Sequence, residues 1–78
     1  MTSIQVLGHG CENCRRLEAN AREAVIKAGI EAEITKVTDD PGIMAFGILS
    51  TPGLVINGQV ASYGRVPSAD EIARWLLG

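Results

Sequence analysis

The sequence predicts an α/β fold: a four-stranded mixed sheet with helices on both faces, in the order β-α-β-α-β-β-α, as one domain over residues 1–78. Three observations carry this. A strand pattern at Ser3–Leu7 gives way to a long helix-period stripe. Asn57-Gly58 separates two strand patterns. A capping box at Ser68–Glu71 opens a last amphipathic segment.

The elements follow in order. Ile4 and Val6 alternate with Ser3 and Gln5, which predicts a strand over Ser3–Leu7. Gly8-His9-Gly10 reads as a loop. A helix then runs from about Cys11 or Glu12 to Ala28, with Gly29 as its C-terminal stop. Its apolar stripe is Leu17, Ala21, Ala24, Val25 and Ala28, and one turn further back it reaches Cys14. Cys11 lies outside the stripe, so an exposed first cysteine and a more buried second one are expected.

Ile30, Ala32 and Ile34 alternate with Glu31, Glu33 and Thr35, giving a half-buried strand that ends near Val37. Asp39-Asp40-Pro41 announces a short helix, with Asp40 as N-cap and Pro41 at the first helical position. Ile43, Met44 and Phe46 supply its apolar side, and Gly47 is expected to end it. Leu54-Val55-Ile56 is a continuous apolar run, so this strand should be buried on both faces. Asn57-Gly58 predicts a two-residue hairpin, with Gln59–Tyr63 as the antiparallel return strand. The last helix spans Ser68–Leu77 and buries Ile72, Trp75 and Leu76, with Trp75 in the core. Right-handed crossovers place the first two strands parallel.

Composition narrows the function. The formal charge is −2, the charges are scattered and no basic patch with interleaved aromatics appears, so nucleic acid is not an expected partner. The apolar stretch from Ile43 to Ile56 is short and broken by Gly47, Pro52 and Gly53, so no membrane span is expected. Met-Thr-Ser starts without a basic or apolar leader pattern, and a cytoplasmic location is the default. No exposed apolar stripe is evident, and a monomer is expected. Glu18, Glu23, Glu31 and Glu33 read as a solvated face, and Tyr63 and Arg65 as surface or rim residues.

The chemistry lies in Cys11-Glu12-Asn13-Cys14, which holds both cysteines of the chain. A thiol at a helix N-terminus sits in positive potential, among free N–H donors, and the second thiol lies one turn on. Arg15 and Arg16 add positive charge and Glu12 opposes it, so a depressed Cys11 pKa is expected. Such a pair suits reversible disulfide chemistry. It also suits soft-metal capture, for which copper or zinc would be the ion and Cys11 and Cys14 the ligands. His9 is either a third ligand, a proton donor or a loop histidine exposed to solvent. A closed zinc site takes four ligands, so one chain falls short.

With Gly10-Cys11-Glu12-Asn13-Cys14 after the first strand and Thr51-Pro52 ahead of the buried strand, the chain resembles the thioredoxin superfamily in its small, glutaredoxin-sized form. The Asn57-Gly58 hairpin and Gly64 after the last strand complete the resemblance, which covers essentially the whole chain. It implies a thiol–disulfide oxidoreductase whose Cys11–Cys14 couple is its own redox centre, with no other cofactor and no metal. Cys11 and Cys14 become the catalytic residues, and Thr51, Pro52, Gly10 and Gly64 the substrate-binding ones. It implies a cis Pro52 beside the cysteines, and a Thr51 backbone free to pair with an extended substrate. The partners implied are a protein or small-molecule disulfide and, as electron donor, a reductase or glutathione. Two features depart from the larger thioredoxins: Glu12-Asn13 stands between the cysteines, and no acidic residue lies within Thr2–Leu7. The soft-metal module stays as the alternative, although heavy-metal-associated domains run β-α-β-β-α-β, without helices at Pro41–Phe46 and Ser68–Leu77. A non-catalytic adaptor whose disulfide only switches a binding surface is a third reading.

Overall fold

The computed structural model describes residues 2–78. Among these residues the element order is β1 (Thr2–Leu7), α1 (Glu12–Ala28), β2 (Ala32–Val37), α2 (Asp40–Met44), β3 (Gly53–Ile56), β4 (Gln59–Tyr63) and α3 (Ala69–Leu77). The sheet order is β2-β1-β3-β4. β1 runs parallel to β2, with Ile4 opposite Ile34, and antiparallel to β3, with Leu7 opposite Gly53.

The period-2 alternation of β1 explains the layering. Ile4 and Val6 point to one face and meet Leu17, Ala21 and Ala24 of α1, Leu54 of β3, and Ile72 and Ala73 of α3. Leu7 points to the other face, where it meets Ile43 of α2 and Val55 of β3, with Val37, Phe46 and Ile48 around them. β3 serves both layers, which accounts for its unbroken apolar run: Leu54 and Val55 are both fully buried, and Ile56 is half-buried. The helices are unequal in size, so α1 and α3 cover one face broadly while the single turn of α2 covers only the end of the other beside Leu7.

Local chemistry fixes the boundaries. Gly29 ends α1 in a left-handed conformation, its N–H reaching Val25 O and Ile26 O. Asn57 and Gly58 both take positive φ, the geometry a two-residue hairpin demands, and Asn57 Oδ1 accepts from Ser3 N. Ser68 and Glu71 form the reciprocal capping box of α3.

Four expectations shift. The cap of α2 is Asp39, whose carboxylate accepts from Gly42 N at 3.0 Å, so Asp40 is already helical and Pro41 is second in the helix. That helix closes at Met44, and Gly47 instead ends the turn that follows, its N–H donating to Met44 O. β2 begins at Ala32 rather than Ile30, whose N–H still closes the α1 terminus on Val25 O. Trp75 and Leu76 are half-buried against the core rather than inside it. The Trp75 indole instead carries the Arg65 guanidinium 5.9 Å from its ring centre.

Candidate functional site

β1 ends at Leu7, and the chain turns through Gly8-His9-Gly10 into α1. Cys11 is the N-cap of that helix: its backbone is extended, and its sulfur accepts from Cys14 N at 3.3 Å. A sulfur thus fills the capping position that a hydroxyl or carboxylate oxygen usually takes. One turn later Cys14 joins the buried stripe of α1 at 5% exposure, whereas Cys11 is exposed. The two thiols are free, and their sulfurs lie 2.6 Å apart in hydrogen-bond contact.

This asymmetry splits the two acidities. The Cys14 thiol donates to Cys11, Cys14 N–H adds a second donor, and together they hold the Cys11 pKa below its ordinary value. Burial pushes the Cys14 thiol up, and its pairing with Cys11 pushes it further in the same direction. The lowered Cys11 pKa agrees with the sequence, as does the part of it that comes from N–H donors at the helix mouth. Local hydrogen bonds at the helix mouth produce it, rather than the guanidinium groups of Arg15 and Arg16.

The loop before β3 supplies the opposite wall. The Thr51–Pro52 peptide bond is cis, Pro52 is buried and Thr51 is exposed. Gly64 N donates to Pro52 O at 2.9 Å, and Gly64 lies so close to Ser50 that a Cβ there would stand 2.6 Å from Ser50 Oγ. Thr51 reaches the cysteines through Gly8: a Cβ at Gly8 would stand 3.8 Å from Thr51 Cβ and inside contact distance of Cys14 Sγ. Cys11, Cys14, Thr51, Pro52 and Gly64 therefore gather at one end of the sheet, by direct contact or through Gly8 and Ser50. Gly10 borders the same end from the cleft beside Cys14.

That cleft, about 210 Å³, runs from Gly8, Gly10 and Cys14 to Glu18 of α1 and Lys36 of β2. The Glu18 side chain is only 16% exposed, with Arg22 at 2.8 Å and Lys36 at 3.5 Å. It does not belong to the solvated acidic face that the sequence suggested. Its i, i+4 spacing from Cys14 was the available signal. His9 pairs with Asp40 at 2.8 Å, both groups exposed. Among the described residues no group of three or more His, Cys, Asp or Glu side chains is placed to hold a metal ion. No helix among them is long and apolar enough to cross a membrane.

Comparison with known proteins agrees with this geometry. The family model described as "Thioredoxin domain" matches residues 2–77. The chain is 45% identical to a thioredoxin of Methanothermobacter thermautotrophicus, over 97% of this chain and 99% of the relative. It is 38% identical to a thioredoxin of Methanocaldococcus jannaschii, over 92% of this chain and 83% of that one. An exposed capping thiol of lowered pKa beside a buried one, in a chain matched over nearly its full length, makes this protein a thiol–disulfide oxidoreductase, and the chain belongs to the thioredoxin family.

Proposed function

We propose that Cys11 is the attacking thiolate and Cys14 the resolving thiol of a dithiol reductant. The observation that carries the assignment is the split at the helix mouth: Cys11 exposed with lowered pKa, Cys14 buried with raised pKa, 2.6 Å between their sulfurs. The Cys11 thiolate attacks one sulfur of a substrate disulfide. A Cys11–substrate bond forms, and the other substrate sulfur leaves as a thiolate and takes up a proton. Cys14 then gives its proton to solvent and attacks the Cys11 sulfur, releasing the second substrate thiolate and closing Cys11–Cys14. Two electrons pass from the dithiol to the substrate. A reductase or glutathione returns the protein to the dithiol in the cytoplasm, and the chain acts as one domain and as a monomer.

Thr51, Pro52, Gly10 and Gly64 hold the substrate. Thr51 is exposed just before β3, where ladder pairing starts only at Gly53, so its backbone is in position to pair with an extended peptide. Soft-metal binding gains no support from the site, because His9 is engaged by Asp40.

Redox titration of the metal-free protein, read by thiol alkylation and mass, tests the reading. A single two-electron Cys11–Cys14 transition between about −270 and −200 mV is expected. A protein that forms no intramolecular disulfide under oxidising conditions sinks it.

A further inference from the structure

Cys14 Sγ rests against the α-carbon of Gly8. A Cβ built on Gly8 falls inside contact distance of that sulfur, 3.4 Å from Cys14 Cβ and 3.8 Å from Thr51 Cβ. Its nearest contact is the sulfur, and the two carbons are at ordinary packing distance. Gly8 itself is fixed, because its N–H donates to Val37 O at 3.0 Å and continues the β1–β2 ladder by one residue. Cys14 is fixed from the other side by the buried stripe of α1, which includes Leu17 and Ala21. The sulfur therefore sits between the hydrogen-bonded end of β1 and the buried stripe of α1. The cleft lined by Gly8, Gly10 and Cys14 opens beside it.

We propose that Gly8 is a positioning residue for the second half of the reaction: by leaving the side-chain volume empty, it seats Cys14 Sγ in line with Cys11 Sγ. The proposal rests on Cys14 being the resolving thiol. The step it serves makes the Cys11–Cys14 bond and breaks the Cys11–substrate bond, with the substrate sulfur leaving as thiolate. Displacement of a reacting atom by about 1 Å costs up to roughly a hundredfold in rate. A methyl group on Gly8 pushes the sulfur by a displacement of that order, because the sulfur is the atom it meets inside contact distance while Gly8 is held to Val37. None of the three atoms nearest the added carbon belongs to Cys11, so Cys11 feels the change only through its hydrogen bond with the displaced Cys14 thiol. Weakening that bond raises the Cys11 pKa without blocking its approach to the substrate.

The test compares Gly8→Ala with wild type in two separated half-reactions, using a disulfide-linked peptide as substrate. At a pH where Cys11 is ionised in both proteins, formation of its mixed disulfide should proceed within about twofold of wild type. Its resolution should slow by at least about tenfold, so that the mixed disulfide accumulates and is seen by mass. Melting temperatures of Cys14→Ala and of Gly8→Ala/Cys14→Ala supply the second arm, which remains readable if Gly8→Ala alone folds poorly. Gly8 holds φ at +158°, so alanine carries a backbone cost in either background. With the sulfur gone the contact with Sγ is relieved, and Gly8→Ala should lower the melting temperature by less than it does in the wild type. Resolution at the wild-type rate, or a loss of stability just as large without the Cys14 sulfur as with it, overturns the proposal. The Cys14→Ser variant with Gly8 intact separates this from the broader mechanism: if it fails to accumulate a mixed disulfide, the resolving role itself is wrong.

Discussion

Cys14 meets Cys11 Sγ through two atoms: its backbone N–H donates at 3.3 Å, and its thiol, 2.6 Å away, is the donor once Cys11 is a thiolate. Cys14 is thus the chief source of the lowered pKa of Cys11. Replacing Cys11 by Ser should abolish turnover of a disulfide-linked peptide. Replacing Cys14 by Ser should instead leave a trapped mixed disulfide, and sustained turnover by that variant would refute its resolving role.

The same pairing sets a pH dependence. A thiolate held below its ordinary pKa reacts at lower pH, so the alkylation rate of Cys11 should rise through a midpoint below that of an unperturbed thiol. In Cys14→Ala the thiol donor is lost while the backbone donor stays. The midpoint should move up yet remain below the unperturbed value, because the remaining donors act in the same direction. A midpoint unchanged by Cys14→Ala would mean that the helix terminus, and not the neighbouring thiol, controls the acidity.

Gly64 holds φ at +77°, and a Cβ there would stand 2.6 Å from Ser50 Oγ. Gly64→Ala should therefore cost about 1–2 kcal/mol for the left-handed backbone. That corresponds to a fall of several degrees in melting temperature. Displacement of Ser50 should also raise the KM for the peptide while the alkylation rate of Cys11 stays the same. A variant with both KM and melting temperature unchanged would remove Gly64 from the substrate face.

Glu18 is covered and paired with Arg22 and Lys36, and the Arg22 hydrogen bond is the first cause of its lowered pKa. A carboxylate whose folded pKa is depressed stabilises fully above its unfolded pKa, and that contribution fades as pH falls through the folded pKa. Glu18→Gln should thus cost about 1 kcal/mol near neutral pH. The difference from wild type should shrink as the pH falls through the Glu18 pKa, which its partners hold below the ordinary glutamate range. Urea denaturation of both proteins at two pH values measures it. An equal deficit at both would assign the loss to packing rather than charge.

Leu17 and Leu49 separate core from surface. Leu17 is fully buried between the sheet and α3, while Leu49 is 89% exposed ahead of Thr51. Leu17→Ala should destabilise by about 2–5 kcal/mol. Leu49→Ala should leave the denaturation midpoint within about 0.5 kcal/mol of wild type.

Much of this molecule was legible because its signals are local. The β1 alternation, the α1 stripe with Cys14 as its first member, the Asn57-Gly58 turn and the Ser68–Glu71 box each follow from residues within a turn or two. The burial contrast between the two cysteines followed from helical spacing alone. What escaped depends on the neighbours that the fold supplies. Glu18 looks like surface until β2 brings Lys36 beside it. Trp75 looks like core, yet α3 turns its indole toward Arg65 at the margin of the sheet. Asp39 and Asp40 are equivalent as caps on paper, and the short path out of β2 favours the first. Gly8 reads as a loop glycine, and only the position of Cys14 Sγ gives it a neighbour.

The strand order β2-β1-β3-β4 has a consequence for assembly. β1, α1 and β2 are consecutive, so the cysteine loop can gain its helix and one flanking strand from nearby chain. The other flank of β1 stays open until β3 arrives from beyond residue 52 and pairs Leu7 with Gly53. Closing that long loop is slow compared with forming the helix. An emerging chain thus carries both thiols well before Thr51 and Gly64 can stand at the same end of the sheet, so the cysteine loop meets its opposite wall only when β3 and β4 are in place.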